Sequence, residues 1–115
     1  MALPEIKRAE AERDLKKFCA EFVPPEHRDQ IRHTYKIRGN DITLIEERPP
    51  WDGIGTEWSK LPIARFRYEP DSNAWSVSWQ RANGRWLNCD WLGRSARFGE
   101  MLSAVESNDH CVFFG

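Results

Sequence analysis

From Ile31 to Trp91 the chain runs in short stretches of alternating apolar and polar residues, broken by turn-forming residues. That rhythm permits little besides an antiparallel sheet. The stretch IRHTYKIRGNDITLIEE, 31–47, folds back at Gly39-Asn40, a two-residue turn of the glycine-first kind that matches strand twist. Opposing Arg38 with Asp41 fixes every pair upstream. One side then sets Ile37 against Ile42, Tyr35 against Leu44 and His33 against Glu46. The other sets Lys36 against Thr43, Thr34 against Ile45 and Arg32 against Glu47, so opposite charges meet across the ladder.

A second hairpin follows in LPIARFRYEPDSNAWSVSWQ, 61–80. The loop Pro70-Asp71-Ser72-Asn73 pairs Tyr68 with Trp75, Phe66 with Val77 and Ala64 with Trp79. Arg65 and Arg67 then share the opposite face with Ser78 and Ser76. The next turn decides the sheet. A two-residue Asn83-Gly84 loop would set Trp79 against Asn88 and mix the faces. A three-residue Ala82-Asn83-Gly84 loop, with Gly84 left-handed, adds a bulge and changes the register by one. It sets Trp79 against Leu87, Val77 against Cys89 and Trp75 against Trp91, and only this choice keeps the alternation clean.

Helices flank the strands. Pro4 suits a first helical turn, and Ile6, Ala11, Leu15, Phe18, Cys19 and Phe22 form an apolar stripe, which predicts a helix over 4–22. Val23, placed before a proline, ends it. Ser95 is a candidate cap for a second helix over 96–107 with Phe98, Met101, Leu102 and Val105 on its apolar face. Gly99 weakens that helix by about 1 kcal/mol. The last residues, CVFFG, read as a strand or a plug over the core. The expected fold is α+β in two layers within a single domain, 1–115. An antiparallel meander of five to six strands, with hairpin 31–47, loop 48–61 and meander 62–91, carries an N-terminal and a C-terminal helix on its aromatic face.

Charge and cysteine usage narrow the function classes. With 17 basic and 18 acidic residues the net charge is −1, whereas nucleic-acid binders usually carry a basic excess. The three cysteines, Cys19, Cys89 and Cys111, are odd in number and far apart, unlike a disulfide framework or a zinc site. No apolar run approaches the ~18 residues of a membrane span. The expectation is a cytoplasmic protein with no metal and no cofactor.

The candidate site is the polar face of the meander. Arg65 and Arg67, two apart on one strand, point the same way beside Gln80 and Asn88, with Trp86, Arg81 and Arg85 at the rim. Guanidinium groups among small polar donors bind phosphate or carboxylate in bidentate fashion. The bland alternative is a solvated face whose arginines pair with nearby acids. The second candidate is loop 48–61, RPPWDGIGTEWSKL, where Trp51, Asp52 and Trp58 serve either a recognition loop or a lid folded on the core. His33 opposite Glu46 is the one acid–base pair that the register assembles, and its apolar setting favours a structural role. No catalytic set follows from the sequence.

The strings RPPWDG (48–53), PIARFRY (62–68) and NGRW (83–86), together with YKIRGN (35–40) and the terminal FFG, resemble a small family known as domain of unknown function 3024. The resemblance spans nearly the whole chain and implies a bacterial single-domain protein. It carries over no catalytic or binding residues.

Three function classes are open, and the third, an ordinary small-molecule enzyme, has no assembled site in the sequence. The first is a non-catalytic binding module that uses the open sheet face and the Trp51 loop on a protein or peptide. The second is an RNA-binding or ribonuclease-like protein using the sheet-borne arginines, which the net charge opposes. The protein is expected to avoid membranes and to be a monomer, or a weak homodimer through its edge strands.

Overall fold

The structure is a computed structural model that describes residues 3–50, 55, 57–107 and 113. Five antiparallel strands, β1 (Arg32–Arg38), β2 (Asp41–Arg48), β3 (Ser59–Glu69), β4 (Ala74–Gln80) and β5 (Trp86–Asn88), stand in the order in which they occur. Helix α1 (Glu5–Glu21) precedes them and α2 (Phe98–Ser107) follows, with short 3-10 turns at Pro25–His27 and Asp90–Leu92. The architecture is α+β, as the sequence predicts.

Turn chemistry sets the registers. Gly39 takes a positive φ of 59° at the first position of the β1–β2 turn, and the pairs run from Arg38↔Asp41 to Arg32↔Glu47. In the β3–β4 turn Asn73 takes a φ of 50° and its side-chain oxygen accepts from the Tyr68 hydroxyl at 2.7 Å. Gly84, with φ of 86°, closes the third turn by donating to Arg81 O at 2.8 Å. The resulting pairs, Ser78↔Asn88, Trp79↔Leu87 and Gln80↔Trp86, are those of the bulged loop.

The core lies between the sheet and both helices. Ala11, Leu15 and Phe18 of α1 and Phe98, Met101, Leu102 and Val105 of α2 are buried on it. Phe98 stands 4.7 Å from Phe66 and 5.0 Å from Trp75 between ring centroids, so α2 is anchored on the aromatic centre of β3 and β4. Edge and tilted contacts of this kind add about 1 kcal/mol each beyond area burial.

Several expectations need correction. Ile6, placed on the α1 stripe, is 77% exposed, because the buried face of α1 runs through Ala11, Leu15 and Phe18 and Leu3, just before the helix, covers its start. Leu87 and Trp91 do not join the core face. β5 ends at Asn88, the chain turns into the 3-10 segment, and Trp91 is 45% exposed. Ser95 takes the position beside Trp75 instead, with Trp75 N donating to Ser95 O at 2.7 Å. The second helix starts at Phe98, after a turn in which Ser95 Oγ accepts from Arg97 N at 3.1 Å.

Loop 48–61 is also shorter than expected, because β2 and β3 extend into it until Arg48 faces Ser59. A bulge makes this possible: Leu44 faces Ala64 but Ile45 faces Pro62, which leaves Ile63 as the extra residue. Ile63 and Ala64 are consequently both buried. Pro62 lies beyond the part of β3 that pairs with β4, so its missing N–H breaks no ladder on that side. The Trp51 lid and most of the C-terminal plug lie outside the described residues. Phe113 is described and is buried in the core cluster.

Candidate binding face

Alternation along each strand sends one set of side chains to the helices and the other set to the opposite face. Register then assembles the second set into rows. Lys36, Thr43, Arg65, Ser78 and Asn88 form a row across all five strands. Beside it runs Arg38, Asp41, Arg67 and Ser76. The sheet thus presents cations separated by small hydroxyls. No described helix covers this side: α1 contacts β1, and α2 contacts β4, through the core face.

The carboxylates on this face are engaged. Arg67 donates to Asp41 from Nε at 2.8 Å and from Nη2 at 3.1 Å, a bidentate pair that raises the guanidinium pKa further. Arg32 Nε reaches the buried Glu47 carboxylate at 2.6 Å, and Arg94 reaches Glu69 at 2.9 Å. Among the described residues Lys36, Arg38 and Arg65 have no carboxylate partner. Two of these three lie in the row that spans the sheet. A chain with net charge −1 therefore carries a locally cationic face.

Two tryptophans stack on this face. The Arg65 guanidinium lies over the Trp86 ring at 4.7 Å, and that of Arg32 over Trp58 at 4.0 Å. Each contact holds a long side chain flat against the sheet and is worth about 0.5–1 kcal/mol at a partly exposed site. Gln80 faces Trp86 across the ladder and donates from Nε2 to Gly84 O at 3.1 Å. Asn88 is exposed next to Ser78. Arg81 and Arg85 sit in the β4–β5 turn, joined by an Arg81 N–Arg85 O bond of 2.8 Å, with both side chains exposed at the rim. Trp51 and Asp52 lie outside the described residues.

The structure brings Arg65, Arg67, Trp86 and Asn88 onto one surface and adds residues that sequence reasoning left out. Arg32 and Lys36 belong to the same face through β2. Their signal was present in the first hairpin, whose polar side already held both. Only the β2–β3 pairing, which has no tight turn to announce it, joins that side to Arg65.

His33 is buried against α1, edge-on to Phe18 and Phe22 at 5.7 and 5.3 Å. Its Nε2 lies 3.8 Å from the Glu46 carboxylate, which also accepts from Arg48 Nε at 3.2 Å. Burial holds the imidazole below its ordinary value, opposed by Glu46 and reinforced by Arg48. A cavity of about 600 Å³ opens beside this pair, lined by Glu46, Arg48, Ser59, Lys60, Leu61, Ile63 and Phe113. The described residues hold no cluster of three or more His, Cys, Asp or Glu that fits a metal ion. No described helix is long and apolar enough to cross a membrane.

Comparison with known proteins agrees with the motifs. No curated protein and no solved structure matches the chain. Residues 3–115 match the family described as Domain of unknown function (DUF3024), which takes in every strand and both helices. The chain belongs to that family.

Proposed function

We propose that this chain is a non-catalytic binding module that takes an acidic segment of a protein partner on its open sheet face. The observation that carries this reading is the row Lys36–Thr43–Arg65–Ser78–Asn88, in which two cations with no carboxylate partner among the described residues flank a hydroxyl donor. Such a row offers charge-assisted hydrogen bonds at strand spacing, about 4.8 Å from one side chain to the next. Trp58, at the end of the loop that also carries Trp51, already reaches this face through Arg32. A bacterial, cytoplasmic setting is part of the reading. Cys19 and Cys89 are free thiols, which suits a reducing compartment.

The stacked Arg65–Trp86 and Arg32–Trp58 pairs favour a second reading, in which the face holds single-stranded RNA by phosphate contacts and base stacking. Two facts weigh against it. Both rings are already covered by guanidinium planes, and the net charge is −1.

A two-dimensional NMR titration separates the two. With a Glu-rich peptide at low salt, the signals of Lys36, Arg65, Ser78 and Asn88 are expected to shift and to recover as salt rises. Shifts with single-stranded RNA alone would replace the first reading by the second, and no shift with either would overturn both.

A further inference from the structure

The two edges of the sheet differ in a way that names how a partner is held. At the β5 edge the fold has closed the ladder. β5 is only three residues long, Cys89 N continues its bonding to Val77 O at 2.7 Å, and Ser95 exchanges two backbone hydrogen bonds with Trp75 further along β4. At the other edge β1 runs for seven residues with β2 as its neighbour on one side. A two-residue hairpin makes Arg38↔Asp41 a hydrogen-bonded pair, and the alternation then assigns Lys36, Thr34 and Arg32 to β2. The N–H and C=O groups of Tyr35 and Ile37 consequently point away from the sheet. Neither residue's backbone has a hydrogen-bond partner on that side among the described residues.

The side chains of β1 decide what can pair there. Arg32, Lys36 and Arg38 all stand on the open face, and β1 carries no acid. A second copy of the chain is disfavoured in each antiparallel register about the strand centre. Centring on Tyr35 sets Arg32 against Arg38, centring on Lys36 sets it against itself, and centring on Ile37 sets Lys36 against Arg38. Like charges directly opposite destabilise a ladder. An extended segment with acids at alternate positions meets the reverse situation. Its backbone bonds Tyr35 and Ile37, and its carboxylates lie beside Lys36 and Arg38, which have no carboxylate partner among the described residues. We infer that an acidic, extended peptide of a protein partner adds to the sheet as a sixth strand beside β1. This inference rests on the binding-module reading above and extends it: the added strand anchors the peptide at the edge from which the Lys36–Asn88 row starts, and its flanking acidic residues run over that row.

The test uses the full chain and a ten-residue peptide of alternating Glu and Val, with a Lys–Val peptide as control. Hydrogen exchange at the Tyr35 and Ile37 amides is expected to slow about tenfold or more with the Glu–Val peptide and to stay unchanged with the control. Lys36→Glu with Arg38→Glu, both exposed side chains, is expected to weaken Glu–Val binding at least about tenfold and to create affinity for Lys–Val. Circular dichroism confirms that the variant folds. A response confined to Arg65, Ser78 and Asn88 overturns strand addition and leaves the face reading standing. Unchanged exchange with no response anywhere overturns both. Concentration-dependent protection of Tyr35 and Ile37 in the protein alone assigns the edge to a second copy and overturns the inference.

Discussion

The Glu10 carboxylate of α1 accepts a hydrogen bond from the backbone N–H of Phe98, the first residue of α2, at 3.2 Å. The opening turn of a helix has N–H groups with no partner inside it, and its dipole favours an anion there. One helix therefore caps the other across a gap of 88 residues. The contact needs the helices to lie close together, and Gly99 allows this: a Cβ there would stand 3.1 Å from Asp14 Oδ2.

Removing that cap has a measurable cost. Glu10→Ala is expected to lower stability by about 1 kcal/mol, which corresponds to roughly 3–6 °C in Tm for a domain of this size. Glu10→Gln retains an accepting oxygen and is expected to lose less than half as much. Thermal melts of the two variants side by side check both values.

Trp75 fills the centre of the core with no exposed surface, and its indole N–H has no partner among the described residues. Two effects then oppose each other on substitution. Trp75→Ala opens a large void and is expected to cost about 3–5 kcal/mol. Trp75→Phe keeps ring contacts with Phe98 while deleting a donor whose burial costs about 1–3 kcal/mol. The expected loss for Trp75→Phe is under about 2 kcal/mol, read by urea unfolding.

The strand registers were legible because short turns peg them. Gly39-Asn40 and Gly84 each fix a left-handed position, and alternation propagates the pairing from there. Trp91 was misplaced for a local reason: the alternation continues on paper past Asn88, but Gly93, with φ of 67°, ends a 3-10 turn that takes the chain off the sheet. The candidate face was half legible. Arg65, Arg67 and Trp86 follow from the second and third hairpins, whereas Arg32 and Lys36 reach them only through the β2–β3 pairing. That pairing crosses a ten-residue connection and a bulge at Ile63, and a bulge defeats any count of alternate residues.

His33 makes stability depend on pH. Burial among Phe18 and Phe22 lowers its pKa from the ordinary 6.5, so the folded chain holds this proton more weakly than the unfolded chain does. Stability from this group is complete above 6.5 and is lost as pH falls through that value towards the folded one. Urea midpoints are expected to drop from pH 7.5 to pH 5.5, and His33→Leu is expected to flatten the slope in that window.

Thiol chemistry follows from the same burial. Both Cys19 and Cys89 are pushed to about 11, and Cys89 has no exposed surface. The thiolate is the reactive form, so neither residue is expected to alkylate readily in the folded protein at pH 8. Iodoacetamide labelling followed by peptide mass mapping should mark both only after urea is added. Rapid native labelling of Cys89 would contradict its place beneath the sheet.

Arg65 and Arg67 separate function from stability. The Arg67–Asp41 pair is exposed enough for solvent to weaken it, and Arg65 contributes a surface stack on Trp86. Exposed ion pairs are worth about 0–1 kcal/mol, and a partly exposed cation–π contact about the same. Arg65→Ala with Arg67→Ala is therefore expected to lose under about 2 kcal/mol, with an unchanged circular dichroism spectrum. Removing Arg65 takes a cation with no carboxylate partner among the described residues out of the row that spans the sheet. Removing Arg67 frees Asp41 as an uncompensated negative charge beside that row. Both changes act against an anionic partner. Binding of a Glu-rich peptide, measured by calorimetry at low salt, is accordingly expected to weaken at least about tenfold. Unchanged affinity in a folded double variant would show that the partner does not use this face.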